Sequence, residues 1–479
     1  MNIRTARSGP YLFFVLASLA VLMSSIDNTI VAVAIPQLTT AFDAPLVWIG
    51  WTITAYQLVQ LVMMPVAGRL SDTLGRKRIF LCSIGLFTLG SLLCGLAPSI
   101  GWLIAARAIQ AVGGGGIMPS AMGIISDQFN QAHRAQARGL FSSIFPVGAI
   151  VGPSLGGFIL HVWSWHALFF INVPLGVVVI LGVWLLLRES RPASGDLHVD
   201  VVGIGQFAGA ILVLMLGMTA IGTEPGWLGS PWLWALLAAS VGLAVLFVRH
   251  VRTAPEPLVR YELLAQNPFL AVNLYNFFYG AAAIGFSSFV PYYAVVQYGM
   301  SPFESGAVLT PRSVTSIVVA TLASLYVIRL GYRLPMVGGV LIRSLGLVLL
   351  GQGWSSIHLG PVELSGFWLI AAIIGVSGVG IGLSAPSSSN AGLDLAPREA
   401  AALTGLRGMF RQTGGAIGTA AIVLALSFFP DKAHGLSVIF IALAGVMLLT
   451  IPLAFMIPDT AHEEHLARQR QLQAEQRLA

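Results

Sequence analysis

Charge is what this sequence has least of. Its 479 residues hold 25 Lys and Arg and 19 Asp and Glu, 9% in all, where a soluble domain carries roughly 25%. That scarcity excludes a cytosolic enzyme and a disordered chain. Cysteine is equally scarce. Cys82 and Cys94 fall in one apolar run, so a disulfide framework is excluded and both read as small core residues. Segments of about 10 residues alternating polar and apolar, the mark of an outer-membrane barrel, are missing. The histidines lie mainly in loops, without metal-ligand spacing on a shared helix face. No Ser/His/Asp grouping is visible, and the glycine runs follow no strand and lack the P-loop pattern.

Apolar residues, by contrast, make up 56% of the chain. They form continuous runs near the roughly 20 residues that a membrane-spanning helix needs. The runs lie at about 11–35, 48–67, 79–97, 101–123, 138–160, 167–187, 201–221, 231–249, 269–293, 304–328, 334–353, 366–387, 403–428 and 436–457, fourteen in number. The first run is too long for a cleaved signal peptide and has no A-x-A site. An even number of spans places both termini on one side. Lys and Arg in the loops set the orientation. Arg4, Arg7, Arg69, Arg76, Lys77, Arg78, Arg134, Arg249, Arg333 and Arg398 fall on the side of the amino terminus, and Lys432 alone on the other. Both termini are therefore expected in the cytoplasm. The net charge of +6 is thus explained by topology, and nucleic acid is not an expected partner.

The chain repeats itself weakly. Trp102-Leu-Ile-Ala-Ala recurs at Trp368, 266 residues on, and Arg138-Gly-x-Phe recurs at Arg407, 269 residues on. Pro36 matches Pro291, and Leu74-Gly75 matches Leu330-Gly331, at offsets of 255 and 256. The near-constant offset predicts two six-helix units in parallel, with the seventh and eighth runs inserted. Asp27 then aligns with Ala282, Arg107 with Ile373 and Asp72 with Ile328. Polar groups in one half alone favour a function lodged in that half over a structural role common to both.

Those groups are the candidate site. Asp27 lies about 12 Å from the outer end of the first run, and Arg107 about 9 Å from the outer end of the fourth, at 1.5 Å per residue. A carboxylate at that depth is a functional hypothesis by default. Asp27 is read as a proton-accepting group or as a static acceptor paired with Arg107, either directly or through Gln110 one turn on. Arg312, beside Pro311, is either a contact for a substrate anion or a snorkelling side chain. Arg343 sits mid-helix, and Glu304 is interfacial. With one deep acid against about three deep arginines, a dicationic substrate is disfavoured. Asn273, Tyr275, Asn276, Tyr279, Phe286, Phe289 and Tyr292 are either cavity-lining or packing residues; Asn276 and Phe286 join Arg312 as the substrate-cavity candidates. Gly68, Asp72, Gly75, Arg76 and Arg78 form a tight loop that reads as a conformational latch, with Asp72 near a helix amino terminus. Gly148, Gly152, Pro153, Gly156 and Gly157 combine small-residue packing with a helix-breaking proline, fitting a helix that slides or a static contact.

At these motifs the chain resembles the major facilitator superfamily, and within it the fourteen-helix drug:proton antiporter family. The loop GRLSDTLGRKR from Gly68 to Arg78 is similar to the superfamily's signature loop. Leu103-x3-Arg107-x2-Gln110-x2-Gly113 resembles its proton-coupling motif, and the Gly148–Gly157 stretch its antiporter motif. Leu22-x4-Asp27-x-Thr29-Ile-Val-x-Val-Ala-x-Pro36 resembles the first-helix motif of the fourteen-helix group. Ser164-Trp165-His166-x2-Phe169-x-Ile-Asn172-Val-Pro174-x-Gly176 resembles the sixth-helix entry, with Ala167 where Trp is frequent. The second-half loop is eroded to SLYVIRLGYRL.

The resemblance implies an all-α integral membrane protein of fourteen helices, two six-helix bundles plus two inserted helices. Residues 1–190 would form the first bundle, 191–262 the linker with the inserted pair, 263–458 the second bundle and 459–479 a cytoplasmic tail. It implies a proton-coupled antiporter of a bacterial inner membrane, exporting hydrophobic or amphiphilic drugs by alternating access and conferring antibiotic resistance. No metal and no cofactor is implied; the proton gradient supplies the energy. The partners are protons, an amphiphilic small molecule and the lipid bilayer, with an envelope adaptor protein left open. The alternative is a dedicated exporter of one endogenous product, such as a siderophore, lipid or antibiotic. An enzyme or a sensor is not expected.

Overall fold

A computed structural model describes residues 9–129, 137, 140–141, 144–187, 200–255, 257–359, 362–395 and 400–459. Among them, thirteen helices are long and apolar enough to cross a membrane, and a shorter apolar helix covers Val147–Val162. Helices prevail because hydrocarbon offers no partner for a backbone N–H or C=O, so each segment must satisfy its own. The chain clusters into two compact units, Met1–Leu258 with Met300–Ala307, and Val259–Gly299 with Val308–Ala479.

The first unit opens with α1 (Gly9–Ile30), a 3-10 turn over Val31–Ala34 and α2 (Ile35–Phe42). Pro36 has no N–H to donate one turn back, so the preceding turn tightens. Proline then suits the first turn of a new helix. The first span therefore reaches Phe42, further than the run ending at 35 suggests. Next come α3 (Leu46–Leu74), α4 (Arg76–Gly95), α5 (Ile100–Gln128), α6 (Ile144–Val162), the single turn α7 (Ala167–Phe170) and α8 (Asn172–Leu186). Then follow α9 (Val201–Thr223) and α10 (Pro231–Thr253). Phe13, Phe80, Phe87, Phe141, Ile125 and Val179 are among the residues of its buried core.

The α9–α10 hairpin lies at the margin of this unit. Ser240 bonds the Ala210 carbonyl at 2.8 Å, and Trp51 Nε1 of α3 donates to Thr219 Oγ1 of α9 at 2.8 Å. Asp200 caps α9. It accepts from the amides of Gly203 and Leu258, both at 2.8 Å, and from His250 Nε2 at 2.7 Å. One carboxylate thus fastens the start of α9, the end of α10 and the segment after it.

The second unit holds α11 (Tyr261–Ala265) and α12 (Phe269–Tyr298). After α13 (Pro302–Ala307), which clusters with the first unit, come α14 (Thr310–Leu330), α15 (Arg333–Gly351), α16 (Gly366–Asp394), α17 (Ala400–Ser427), α18 (Lys432–Leu448) and α19 (Thr450–Met456). The run at 304–328 is thus two helices, and α13 starts at a capping box: Ser301 N donates to Glu304 at 2.9 Å, and Glu304 N to Ser301 Oγ at 3.3 Å. Glu304 is exposed. Close helix approach recurs in this unit. A Cβ on Gly280 would strike the Arg411 backbone, and one on Gly414 the Phe277 carbonyl.

Among the described residues, one hairpin is not helical. β1 (Ser356–Leu359) and β2 (Val362–Ser365) pair antiparallel, with Ser356 opposite Ser365, between α15 and α16. The all-helical expectation therefore holds for the spans but not for this connection.

The matched loops of the repeat share a backbone form. Gly75 (φ 109°) and Gly331 (φ 74°) both take positive φ, a region costly for any residue with a Cβ. Gly75 alone separates α3 from α4. After Gly331, Asp459 accepts from the amides of Tyr332 (2.6 Å) and Arg333 (3.1 Å) at the start of α15.

Candidate functional site

Asp27 and Arg107, 80 residues apart, meet in the first unit. Arg107 Nη1 lies 2.5 Å from Asp27 Oδ2. Asp27 is 0% exposed and Arg107 1%. Gln110, three residues beyond Arg107 and so on the same face of α5, joins them. It accepts from Arg107 Nη1 at 2.6 Å and donates to Asp27 Oδ1 at 2.8 Å. The pairing is therefore both direct and relayed.

Residues beyond these three complete the network. Asn172, the first residue of α8, donates to Asp27 Oδ1 at 3.0 Å and to Ser91 Oγ at 3.1 Å. Ser91 also takes a hydrogen bond of 2.5 Å from Gln110 Nε2. That contact needs α4 hard against α5, and Gly90 permits it: a Cβ there would lie 2.5 Å from the Gln110 backbone. Arg107 Nε reaches the Thr52 carbonyl at 3.0 Å, and its guanidinium carbon sits 4.0 Å from the Tyr56 ring centroid. Of the two cysteines read as core residues, Cys94 is buried with its thiol 3.7 Å from Gln110 Oε1, whereas Cys82 is exposed on α4. Two charges are thus held out of water by one another and by several hydrogen bonds, the condition under which a buried pair is tolerated. Asn172 could have been singled out from the sixth-helix motif. Ser91 and Thr52 carry no sequence signal, because hydroxyls are common in membrane helices.

The Gly68–Arg78 segment, expected as a tight loop, is helical on both sides of Gly75, and an ionic stitch joins the two helix ends. Arg76, first residue of α4, bonds Asp72 at 3.0 Å and Asp127 at 2.7 Å, and also donates to the Gly123 carbonyl. Asp72 meets the side chain of the first α4 residue. Gly68 lies near Pro119, with room for a Cβ 3.7 Å away. Arg78 is exposed. Asp127 has no counterpart in the sequence reading.

The glycines of α6 line two faces. A Cβ on Gly148 would lie 2.6 Å from Ser25, one on Gly152 would strike Thr29 Oγ1, and one on Gly156 would lie 2.7 Å from Ile30. All three neighbours belong to α1 and flank Asp27 in sequence. Gly157 turns elsewhere, 2.6 Å from the Pro302 carbonyl, while Gly306 of α13 meets the Pro153 carbonyl.

The three cavity candidates lie in the second unit. Asn276 is buried and returns its amide to the Val272 carbonyl of its own helix at 2.8 Å. Phe286 is buried edge-on to Phe440, with centroids 5.2 Å apart. Arg312 is half-buried and donates to Ser287 Oγ. Arg343 is 1% exposed and bonds the Tyr279 hydroxyl at 3.0 Å. Separately, an apolar groove of about 540 Å³ runs along α14 and α16, lined by Pro311, Thr315, Trp368, Gly375 and Val379. Among the described residues, no three His, Cys, Asp or Glu side chains come together as metal ligands.

Comparison with known proteins fits this architecture. The sequence profile of the Major Facilitator Superfamily matches residues 17–200 and 272–477. Multidrug resistance protein 3 of Bacillus subtilis is 30% identical over 403 residues, covering 83% of this chain and 76% of that protein. The multidrug transporter MdtP of the same organism is 29% identical over 401 residues, covering 84% and 72%. The tetracenomycin C resistance and export protein of Streptomyces glaucescens is 29% identical over 432 residues, covering 89% and 78%. Among solved structures, a D-xylose-proton symporter superposes with a TM-score of 0.65 at 14% identity, over 95% of this chain and 99% of that one. This chain therefore belongs to the Major Facilitator Superfamily, with multidrug and antibiotic resistance transporters among its relatives.

Proposed function

We propose that this chain is a proton-coupled antiporter that exports hydrophobic or amphiphilic compounds across a bacterial inner membrane by alternating access. The observation that carries the reading is the set of partners around Asp27. Arg107, Gln110 and Asn172 all donate to it. A carboxylate accepts from all three, whereas a carboxylic acid must donate through one oxygen and displace a partner. Proton entry then dissolves the Asp27–Arg107–Gln110 network and frees a buried guanidinium. Such a local change of charge biases an element that has two arrangements. Substrate and proton need only push that element in opposite directions for exchange to be coupled.

The rest of the reading follows from the repeat and the loop charges. Fourteen spans divide as six, two and six: a bundle over 1–190, an inserted pair within 191–262, a second bundle over 263–458 and a tail from 459, with both termini cytoplasmic. The Gly68–Arg78 loop acts as the cytoplasmic latch, the α6 glycines carry the sliding contact, and Asn276, Phe286 and Arg312 face the substrate path. The relatives' names as multidrug and export proteins support the substrate class. Dye efflux in inverted vesicles, with and without a pH gradient, tests the coupling. Asp27→Asn is expected to abolish gradient-driven transport; undiminished transport would remove Asp27 from the role.

A second reading, a dedicated exporter of one endogenous product, draws support from the export protein of Streptomyces glaucescens and from the arginine-rich interior. Transport of several unrelated compounds in a broad screen would count against it.

A further inference from the structure

The membrane helices of the second unit carry several arginines against a single carboxylate. Arg312, Arg343, Arg407 and Arg411 lie within α14, α15 and α17, while the one carboxylate in α12 and α14–α19 is Asp394, the last residue of α16. Asp394 is taken by the Tyr332 hydroxyl at 2.5 Å. In the first unit Arg107 has Asp27; in the second, Arg343 has no ion pair among the described residues.

Arg343 is as deeply buried as Arg107. Its Nη1 donates to the Tyr279 hydroxyl, and its guanidinium carbon lies 5.1 Å from that ring's centroid. Its Nε has no hydrogen-bond partner. Tyr279 stacks on Tyr275 at 6.0 Å, and the buried Tyr275 hydroxyl also lacks a partner. Arg312 reaches the same helix, α12, through Ser287, eight residues beyond Tyr279, and it is half-buried. Neutral partners satisfy some donors but cancel no charge, and an uncompensated buried cation is costly. The shared fold does not require it: the position 256 residues earlier is the buried Phe87.

We propose that Arg343, Arg312 and Tyr279 form an anion-recognition site for the acidic group of an amphiphilic, aromatic substrate. The acid supplies the missing charge. Arg343 Nε and the Tyr275 hydroxyl supply unused hydrogen-bonding capacity, and the stacked tyrosines supply a face for the ring system. The assignment rests on the export reading and narrows its substrate class toward monoanions.

Two fluorescent dyes that share an aromatic skeleton test it. 1-Anilinonaphthalene-8-sulfonate carries one anionic group, and N-phenyl-1-naphthylamine carries none. Equilibrium binding is measured on the full chain in phosphatidylcholine nanodiscs, without any gradient. The wild type is expected to bind the sulfonate saturably. Arg343→Gln and Arg312→Gln should each weaken it by about tenfold or more, as expected when a charged hydrogen bond is lost, and leave the neutral dye unchanged. Arg343→Lys should recover part of the loss. No saturable sulfonate binding by the wild type would overturn the proposal. So would unchanged sulfonate affinity in both Gln variants, or an equal fall of both dyes in folded Arg312→Gln. Should Arg343→Gln fail to fold, the half-buried Arg312→Gln decides alone. Displacement of the sulfonate by chloride at equal concentration would assign the site to a free inorganic anion and overturn the amphiphile. The coupling role of Asp27 is untouched by any of these outcomes, because no gradient enters the measurement.

Discussion

Asn172 Nδ2 lies 3.0 Å from Asp27 Oδ1, across 145 residues of sequence. The bond ties the first residue of α8 to the last turn of α1 and gives the carboxylate its third donor. Asn172→Ala removes that donor and one of the two amides bonded to Ser91. A loss of about 1–3 kcal/mol of stability is expected for a lost hydrogen bond to a charged group, with a shifted pH profile of gradient-driven efflux. Thermal unfolding of the purified protein and efflux across a pH series check both. An unaltered pH profile would show Asn172 to be structural only.

The Asp27–Arg107 pair predicts strong non-additivity. Arg107→Leu strands a buried carboxylate and is expected to cost about 3–5 kcal/mol. Asp27→Asn combined with Arg107→Leu removes both charges and should be less destabilised than Arg107→Leu alone. A double-mutant cycle on unfolding midpoints reads the coupling. Additive single effects would contradict the pairing.

The α6 stripe predicts a steric rescue. Gly152→Ala drives a methyl group into Thr29 Oγ1 and is expected to cost about 1–3 kcal/mol. Thr29→Ala in the same chain should restore part of it. Gly445→Ala, with nothing within 4 Å, is the neutral control. Thermal stability and folded yield in detergent measure all three.

The Asp200 clasp predicts acid sensitivity. Burial opposes its charge, but the Gly203 and Leu258 amides and His250 together outweigh burial and hold its carboxyl below the ordinary value of 3.8. A depressed folded value means that the contribution is complete above the ordinary value and is lost as pH falls below it. Asp200→Ala should lower the unfolding midpoint at neutral pH, with a helix-cap loss of about 0.5–2 kcal/mol. The gap from wild type should close on acidification below pH 3.8. A pH-independent gap would refute the clasp.

Much of the site was legible in the sequence, for physical reasons. An ionised side chain inside a run of apolar residues is costly, so Asp27 and Arg107 stand out at once. Glycines four residues apart signal a close helix contact, and the contact exists. What the pattern does not encode is the partner. Nothing local says that Gly152 meets Thr29, that Arg76 reaches Asp127, or that Ser91 completes the Gln110 bonds. Neutral polar groups are common in membrane helices, so their spacing is mute until the helices are packed. The β1–β2 hairpin escaped because strands of four residues give too short a period to read. The break before α14 escaped because hydropathy runs straight through it.

The two glycine turns of the repeat respond differently to the medium. At Gly75 the flanking helices are joined by Asp72 and Arg76, whose side chains are 58% and 25% exposed, so dissolved ions compete with the bond. At Gly331 the work falls to Asp459, 9% exposed and seated on two backbone amides, where mobile ions scarcely reach. Among the described residues, ionic strength is therefore expected to act on the Gly75 turn more than on the Gly331 turn. Two turns matched in sequence thus differ in how far their surroundings tune them.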